Sequence, residues 1–245
     1  MKLLGAFLVV TSVAGTAAGI YSLPRERIVG SYSTTLQGRT PAQAANARLA
    51  LQRVINAEIL PGEEFSFNHR VGSFSRDQGF RRAPVSYNGQ LIDDWGGGVC
   101  QTSTTLYNAA LLAGLTILER HPHRFSPSYA PPGRDAAVAF TNVDLRFRNP
   151  YSYPLRVVGD CAGNRLNLRI VGSGPSSLRP EIVSDVRELR APQTFVMGSG
   201  NGRHRVRNTG KAGYEVLVYR QTQDRRETIS HDSYAVMNRV VEIQP

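Results

Sequence analysis

Cys100 follows three consecutive glycines, Gly96, Gly97 and Gly98, and stands at the start of a run with helical periodicity. A thiol at a helix N-terminus feels the positive end of the helix dipole and lies beside backbone N–H groups that no helical carbonyl satisfies. Both favour the thiolate, the nucleophilic form of cysteine. The glycines allow close backbone approach to a substrate. The Cys100 N–H and the Gln101 side chain are candidate donors to the oxyanion that develops when sulfur attacks a carbonyl. A cysteine nucleophile also needs a base, usually histidine, and a third group to orient it. His121 and His123 follow the helix, and Asp135 lies on the approach to the next strand. The candidate catalytic set is therefore Cys100, His123, His121, Asp135 and Gln101. Gly97, Gly98, Trp95, Thr102 and Arg120 are the candidate substrate-binding residues.

Other readings of the same residues stand beside this one. Cys100 can be a small buried hydrophobe or half of a disulfide with Cys161, the second of the two cysteines. The glycines can serve a tight turn, and Arg120, His121 and Arg124 can form a solvated basic loop. The Gly-rich loop with Trp95 and Tyr87 can instead line a binding groove. His121 and His123 alternate, so with Asp135 or Cys100 they can be read as zinc ligands. No further ligand is well spaced, so neither a metal nor a cofactor is assigned. A cysteine at a helix N-terminus, with His and Asp from following β structure, is also the general layout of papain-like and transglutaminase-like enzymes, by analogy only.

The elements that position these residues follow from local pattern. Thr40-Pro41 supplies a capping hydroxyl and a proline at the first helical position. Ala47, Leu51, Val54 and Ile55 then recur at helical spacing, predicting a helix over residues 41–58 that Pro61-Gly62 stops. Residues 64–68 alternate as a short strand, and residues 69–98 show little periodicity. A second helix is predicted over about 101–113, with Gly114 past its end. Residues 155–158 and 166–171 read as a hairpin, with Cys161 in the turn. Residues 25–39 read as an extended lead-in. The expected fold class is α+β: two main helices packed on a mostly antiparallel sheet, followed by a small all-β appendage.

The chain has 245 residues, with 41% hydrophobic and 20% charged content, which suits a folded protein able to bury a core without staples. The net charge of +10 favours an acidic neighbour such as a cell-wall polymer or anionic lipid. The arginines are scattered and no Zn-finger or RNP-type motif occurs, so nucleic acid is not expected as a partner. Residues 3–20 are apolar behind Lys2, with small residues from Ala14 to Gly19, as in a signal peptide or short membrane anchor. The expected location is extracytoplasmic: the cell envelope, secreted or membrane-anchored. The expected organisation is a leader at 1–24, a main domain at 25–172, a linker at 173–178 and a small β appendage at 179–245.

Several segments together resemble the VanW-like family. They are Pro61-Gly62-Glu63-Glu64-Phe65-Ser66-Phe67-Asn68, the run from Gly96 through Cys100-Gln101-Thr102-Ser103-Thr104-Thr105 to Ala110, Glu119-Arg120-His121-Pro122-His123, Tyr129, Gly133-Arg134-Asp135-Ala136 and Asp144 to Asn149. The resemblance covers roughly residues 31–172. The tail is loosely similar to a degenerate G5 module through Gly210-Lys211-Ala212-Gly213-Tyr214-Glu215-Val216. Such proteins belong to bacterial cell envelopes and some vancomycin-resistance clusters, and often carry peptidoglycan-binding or G5 domains. The resemblance implies an exported protein that acts on or binds peptidoglycan or its stem peptides, with the membrane as a further partner through the N-terminal segment. It leaves two forms of that function open: a Cys-His-Asp thiol hydrolase or acyltransferase, or a non-catalytic accessory module in which Cys100 is structural.

Overall fold

The structure, a computed structural model, describes residues 26–87, 90–174, 180–198 and 202–244. The expected leader at 1–24 and residues 175–178 of the expected linker lie outside the described residues.

The first strand, β1, spans Arg27–Thr35. The helix α1 (Pro41–Val54) begins with a complete capping box: the Thr40 side chain accepts from the Gln43 N–H, and the Gln43 side chain accepts from the Thr40 N–H. It ends earlier than its periodicity suggests, because Asn56 turns to φ 61° and its N–H donates to the Val157 carbonyl. There follow β2 (Glu58–Ile59), β3 (Glu64–Ser66) and the one-turn helix α2 (Phe67–Val71), capped by Ser66. The hairpin β4 (Arg82–Tyr87) and β5 (Gln90–Trp95) leads to the helix α3 (Val99–Leu112). Beyond it come β6 (Thr116–Glu119), β7 (Arg146–Arg148) and the hairpin β8 (Leu155–Ala162) and β9 (Arg165–Gly172). Cys161 therefore sits in β8 opposite Leu166, not in the turn.

The C-terminal part consists of β10 (Glu181–Arg190), β11 (Thr194–Met197), β12 (Arg203–Asn208), β13 (Gly213–Gln221), β14 (Arg226–Tyr234) and β15 (Arg239–Gln244). They form two three-stranded sheets, β10-β13-β14 and β11-β15-β12. The first part contains the sheets β1-β9-β8-β2, β3-β7-β6 and β4-β5. Every pairing is antiparallel except β11 with β15.

This corrects the expected α+β class. The chain is mostly β, with 46% strand and 16% helix, and it carries three short helices among several sheets rather than two main helices on one sheet. Strands of two to six residues are too short to show period-2 alternation. Their pairings are also non-local: β3 finds its partner β7 across the whole of α3. A local pattern reveals the two longer helices, β3 and the β8–β9 hairpin, but not how the strands pair into several sheets.

Helix α3 is the centre of the molecule. Twelve of its fourteen residues are buried, including Thr102, Ser103, Thr104, Thr105 and Asn108. A helix buried all round must satisfy its polar side chains internally. Thr102 donates to the Ala47 carbonyl of α1 at 2.8 Å, and Thr105 bonds Thr34 of β1 at 2.9 Å.

Candidate active site

One edge of α3 is hydrogen-bonded to the segment 134–138, and this fastening places the candidate residues. Asn108 donates to the Arg134 carbonyl at 2.6 Å, and Ser103 donates to the Ala136 carbonyl at 2.6 Å. Thr104 accepts from the Ala136 N–H at 3.0 Å. The Val138 N–H donates to the Cys100 sulfur at 3.5 Å, while the sulfur lies 3.4 Å from the Val138 carbonyl, to which a protonated thiol donates. Alternate residues of this segment thus face the helix, and Asp135 between them faces away.

There Asp135 meets His123. Its Oδ2 lies 2.6 Å from His123 Nδ1 and accepts from the His123 backbone N–H at 2.7 Å. The antiparallel bridge between His121 and Ala137 sets this spacing. With Nδ1 committed to Asp135, the other ring nitrogen, Nε2, is left available to the neighbouring Cys100 thiol, whose charged form His123 favours. Cys100, His123 and Asp135 therefore lie together, with Asp135 fully buried and the His123 side chain 23% exposed.

The electrostatics follow from this arrangement. Burial alone would raise the Cys100 pKa, but the hydrogen bond and positive charge of His123 outweigh it and hold the thiol below its ordinary value. Burial would lower the His123 pKa, but the bonds to Asp135 and Cys100 push it up to about 10. Asp135 stays below the ordinary carboxylate range despite its burial, because His123, Arg120 and Tyr234 all favour its charged form. His123 is therefore an imidazolium at neutral pH, and its charge favours the thiolate form of Cys100.

Gly98 makes the helix start where it does. It is the N-cap of α3, with φ 106° and no side-chain cap, and a Cβ there would lie 2.3 Å from the Gln43 carbonyl oxygen. Only glycine fits both constraints. Gly97 is buried, and its carbonyl accepts from Asn46 of α1 at 2.9 Å. The role these two glycines show is thus close packing of the helix start on α1.

The other sequence candidates take different places. The Gln101 amide donates to Thr34 Oγ1 at 3.1 Å and to the Thr35 carbonyl at 2.7 Å, so both its N–H bonds are spent on β1. His121 is 44% exposed and pairs with Glu119 at 3.0 Å. The two histidines thus serve different carboxylates. Thr102 faces α1 in the core, and the Trp95 side chain is 37% exposed at the end of β5. The Arg120 side chain is only 5% exposed, paired with Asp135 at 3.1 Å and with Asp232 at 2.5 Å, which leaves it a scaffold rather than a substrate contact. The side chain of Tyr87 lies outside the described residues. Both cysteines are free thiols. Cys161 packs against Leu36, Ala44 and Ala47 as well as against the main core.

Three residues of the site had no role in the sequence reading. The Tyr129 ring stands edge-on to His123 at 6.4 Å, and its hydroxyl bonds Thr104. Burial, then the nearby charges of Cys100 and Asp135, raise the Tyr129 pKa well above its ordinary value. Tyr129 does lie in a motif segment, which is a usable signal. Asp232 and Tyr234 come from β14, and no local pattern marks them.

The family model for VanW-like proteins matches residues 42–171, which is 130 of the 245 residues and spans every catalytic candidate. The chain belongs to the VanW-like family. Two relatives agree with this. The uncharacterized protein YoaR of Bacillus subtilis (strain 168) is 37% identical over 145 residues, covering 59% of this chain and 48% of YoaR. The vancomycin B-type resistance protein VanW of Enterococcus faecalis (strain ATCC 700802 / V583) is 33% identical over 109 residues, covering 42% of this chain and 40% of that protein. The matches thus span less than half the length of either relative. A solved structure titled as that of HP0197-G5 aligns with 26% of this chain and 99% of its own, at 19% identity and a TM-score of 0.14. Among the described residues, no helix is long and apolar enough to cross a membrane.

Proposed function

We propose that this VanW-like protein is a cysteine-dependent acyl-transfer enzyme of the cell envelope, acting on an amide or ester carbonyl of peptidoglycan stem peptides. The observation that carries the reading is the grouping of Cys100 with a His123 whose Nδ1 is held 2.6 Å from Oδ2 of the buried Asp135 carboxylate and whose charge favours the thiolate. This is the nucleophile, base and orienter arrangement that covalent catalysis requires.

The chemistry runs in two halves. The Cys100 thiolate forms a C–S bond to the carbonyl carbon, and the carbonyl oxygen becomes an oxyanion. The Cys100 backbone N–H at the start of α3 and the Tyr129 hydroxyl are its donors. His123 Nε2–H gives its proton to the leaving amine or alcohol as the C–N or C–O bond breaks, and a thioester remains. Water or an acceptor amine then attacks the thioester, His123 takes the proton of that nucleophile, and sulfur leaves as thiolate. Water yields hydrolysis and an amine yields transpeptidation.

The envelope location rests on family membership, on the +10 net charge and on the leader-like segment at 1–24. The half-exposed Trp95 and Phe140 support a second reading, in which the protein binds wall polymer without catalysis. One experiment separates the two. Purified peptidoglycan and synthetic stem peptides are incubated with wild type and Cys100→Ala, and products and protein adducts are followed by mass spectrometry. A new product together with a thioester on Cys100, both absent in the variant, is expected. Sedimentation with peptidoglycan that Cys100→Ser leaves unchanged, without turnover or native thiol reactivity at neutral pH, would overturn catalysis in favour of binding.

A further inference from the structure

The C-terminal sheets do not stand apart as an appendage. Residues 120–135 carry both His123 and Asp135, and the C-terminal part holds this loop at several points. The Ala235 N–H donates to the Arg124 carbonyl at 2.9 Å, and Lys211 Nζ donates to the Ser126 carbonyl at 2.6 Å. Gly133 has φ 80°, and a Cβ there would lie 2.5 Å from Val218 Cγ2 and 2.8 Å from Val216 Cγ1 of β13. The backbone just ahead of Asp135 is pressed directly onto that strand.

Alternation along β14 turns Asp232 and Tyr234 inward, and both are buried, at 5% and 1% exposure. The Tyr234 hydroxyl donates to Asp135 Oδ1. It accepts from the Gly133 N–H at 2.9 Å and from Arg120 Nη2 at 3.3 Å. Asp232 takes Arg120 Nη1 through both oxygens, at 2.5 and 2.6 Å. Arg120 in turn donates to the Asp135 carbonyl through Nε at 2.6 Å and to Oδ1 through Nη2 at 3.1 Å. Asp135 Oδ1 is thus occupied by Tyr234 and Arg120, and Oδ2 by the two nitrogens of His123. A carboxylate saturated in this way has one orientation, and that orientation sets the His123 ring.

We propose that residues 180–244 complete the active site, with Tyr234 and Asp232 as positioning residues that hold Asp135 and Arg120 and, through them, the His123–Cys100 pair. The proposal rests on the catalytic reading above. It assigns no contact with substrate to either residue. Removing the Tyr234 hydroxyl takes one donor from Asp135 Oδ1 and leaves the carboxylate free to turn, so the His123 ring is no longer held in place beside the sulfur. Removing the Asp232 charge leaves Arg120 dependent on Asp135 alone and draws it out of register with His123.

The test measures the Cys100 thiolate in the full chain, by absorbance against pH and by the alkylation rate at neutral pH. Tyr234→Phe and Asp232→Asn should each move the thiolate midpoint upward by about one pH unit and slow alkylation about tenfold. Asp232→Glu, which restores the charge, should recover most of the rate. His231→Ala changes the neighbouring exposed residue of β14 and should match wild type. Circular dichroism establishes that each variant is folded at the assay temperature; where Tyr234→Phe is not, Asp232→Asn carries the test. Folded variants that titrate and alkylate within twofold of an activated wild type would overturn this proposal and leave the catalytic reading standing. A wild-type Cys100 that titrates as an ordinary thiol would overturn both.

Discussion

The Asp135 carboxylate grips His123 twice, at the ring Nδ1 and at the backbone N–H, and so fixes both the tautomer and the position of the imidazole. Of the two nearby histidines, His123 alone is held this way; His121 turns its ring to Glu119 near solvent.

The pH dependence of Cys100 chemistry follows from the two opposed shifts. The thiol is held below its ordinary pKa, so thiolate forms at lower pH than in an ordinary cysteine and is lost as pH falls through that lowered value. His123 keeps its proton up to about 10. Alkylation of Cys100 by iodoacetamide should therefore rise at lower pH than for an ordinary thiol and show no loss above pH 10. Acyl transfer needs the imidazolium as acid as well, so its rate should fall as pH rises through about 10. Cys161 serves as the internal comparison in the same peptide map. An alkylation rate for Cys100 that climbs only above pH 8, as for a free thiol, would contradict the ion pair.

Asp135→Asn should be severe for two separate reasons. Asp135 is one partner of a buried charge cluster, and its loss leaves Arg120 paired with Asp232 alone, a change worth about 3–5 kcal/mol of stability. The amide can also donate to Nδ1, which places the ring proton on the wrong nitrogen. In serine triads that exchange lowers kcat by roughly 10⁴-fold, and a similar fall is expected here. Chemical denaturation against pH gives a further check. Because the folded-state pKa of Asp135 is depressed, its contribution is present above the unfolded carboxylate range and is lost as pH falls through the folded value. The variant should lack that component of acid sensitivity.

The sequence showed some of this and concealed the rest for identifiable reasons. Thr40-Pro41 announces α1 because capping is local, and the alternation in 155–158 and 166–171 announces β8 and β9. Cys100, His123 and Asp135 could be grouped because residue chemistry limits which groups serve as nucleophile, base and orienter. Gln101 and Arg120 show the limit of that logic. Both have the right chemistry for a site, yet Gln101 is consumed by β1 and Arg120 by β14. Only long-range pairing decides such cases, and the same holds for Tyr234, which meets Asp135 across 99 positions.

Gln101→Ala distinguishes a structural amide from an oxyanion donor. As placed, Gln101 bridges α3 to β1, and its loss takes a donor from the buried Thr34 hydroxyl and another from the Thr35 carbonyl, a destabilisation of about 1–2 kcal/mol. The folded fraction should keep Cys100 alkylation and turnover within a few-fold of wild type. An oxyanion donor would instead lower kcat by about 10²–10³ with stability little changed. Thermal melts and single-turnover assays on one preparation separate the two outcomes.

Gly98→Ala should displace the nucleophile without touching it. The residue sits at φ 106°, where an L side chain is strained by about 1–3 kcal/mol. Its new Cβ would also meet the Gln43 carbonyl oxygen at 2.3 Å, and that oxygen is backbone of α1, which has little room to retreat. Relief requires the first turn of α3 to move away from α1. Cys100 is the second residue of that turn, so its sulfur moves relative to His123 and the Val138 N–H. The expected result is a lower melting temperature together with loss of the activated thiolate, read as an upward move of the Cys100 titration midpoint. A variant that is destabilised but keeps the wild-type midpoint would show that Gly98 governs packing alone and that the nucleophile is positioned by the 134–138 segment.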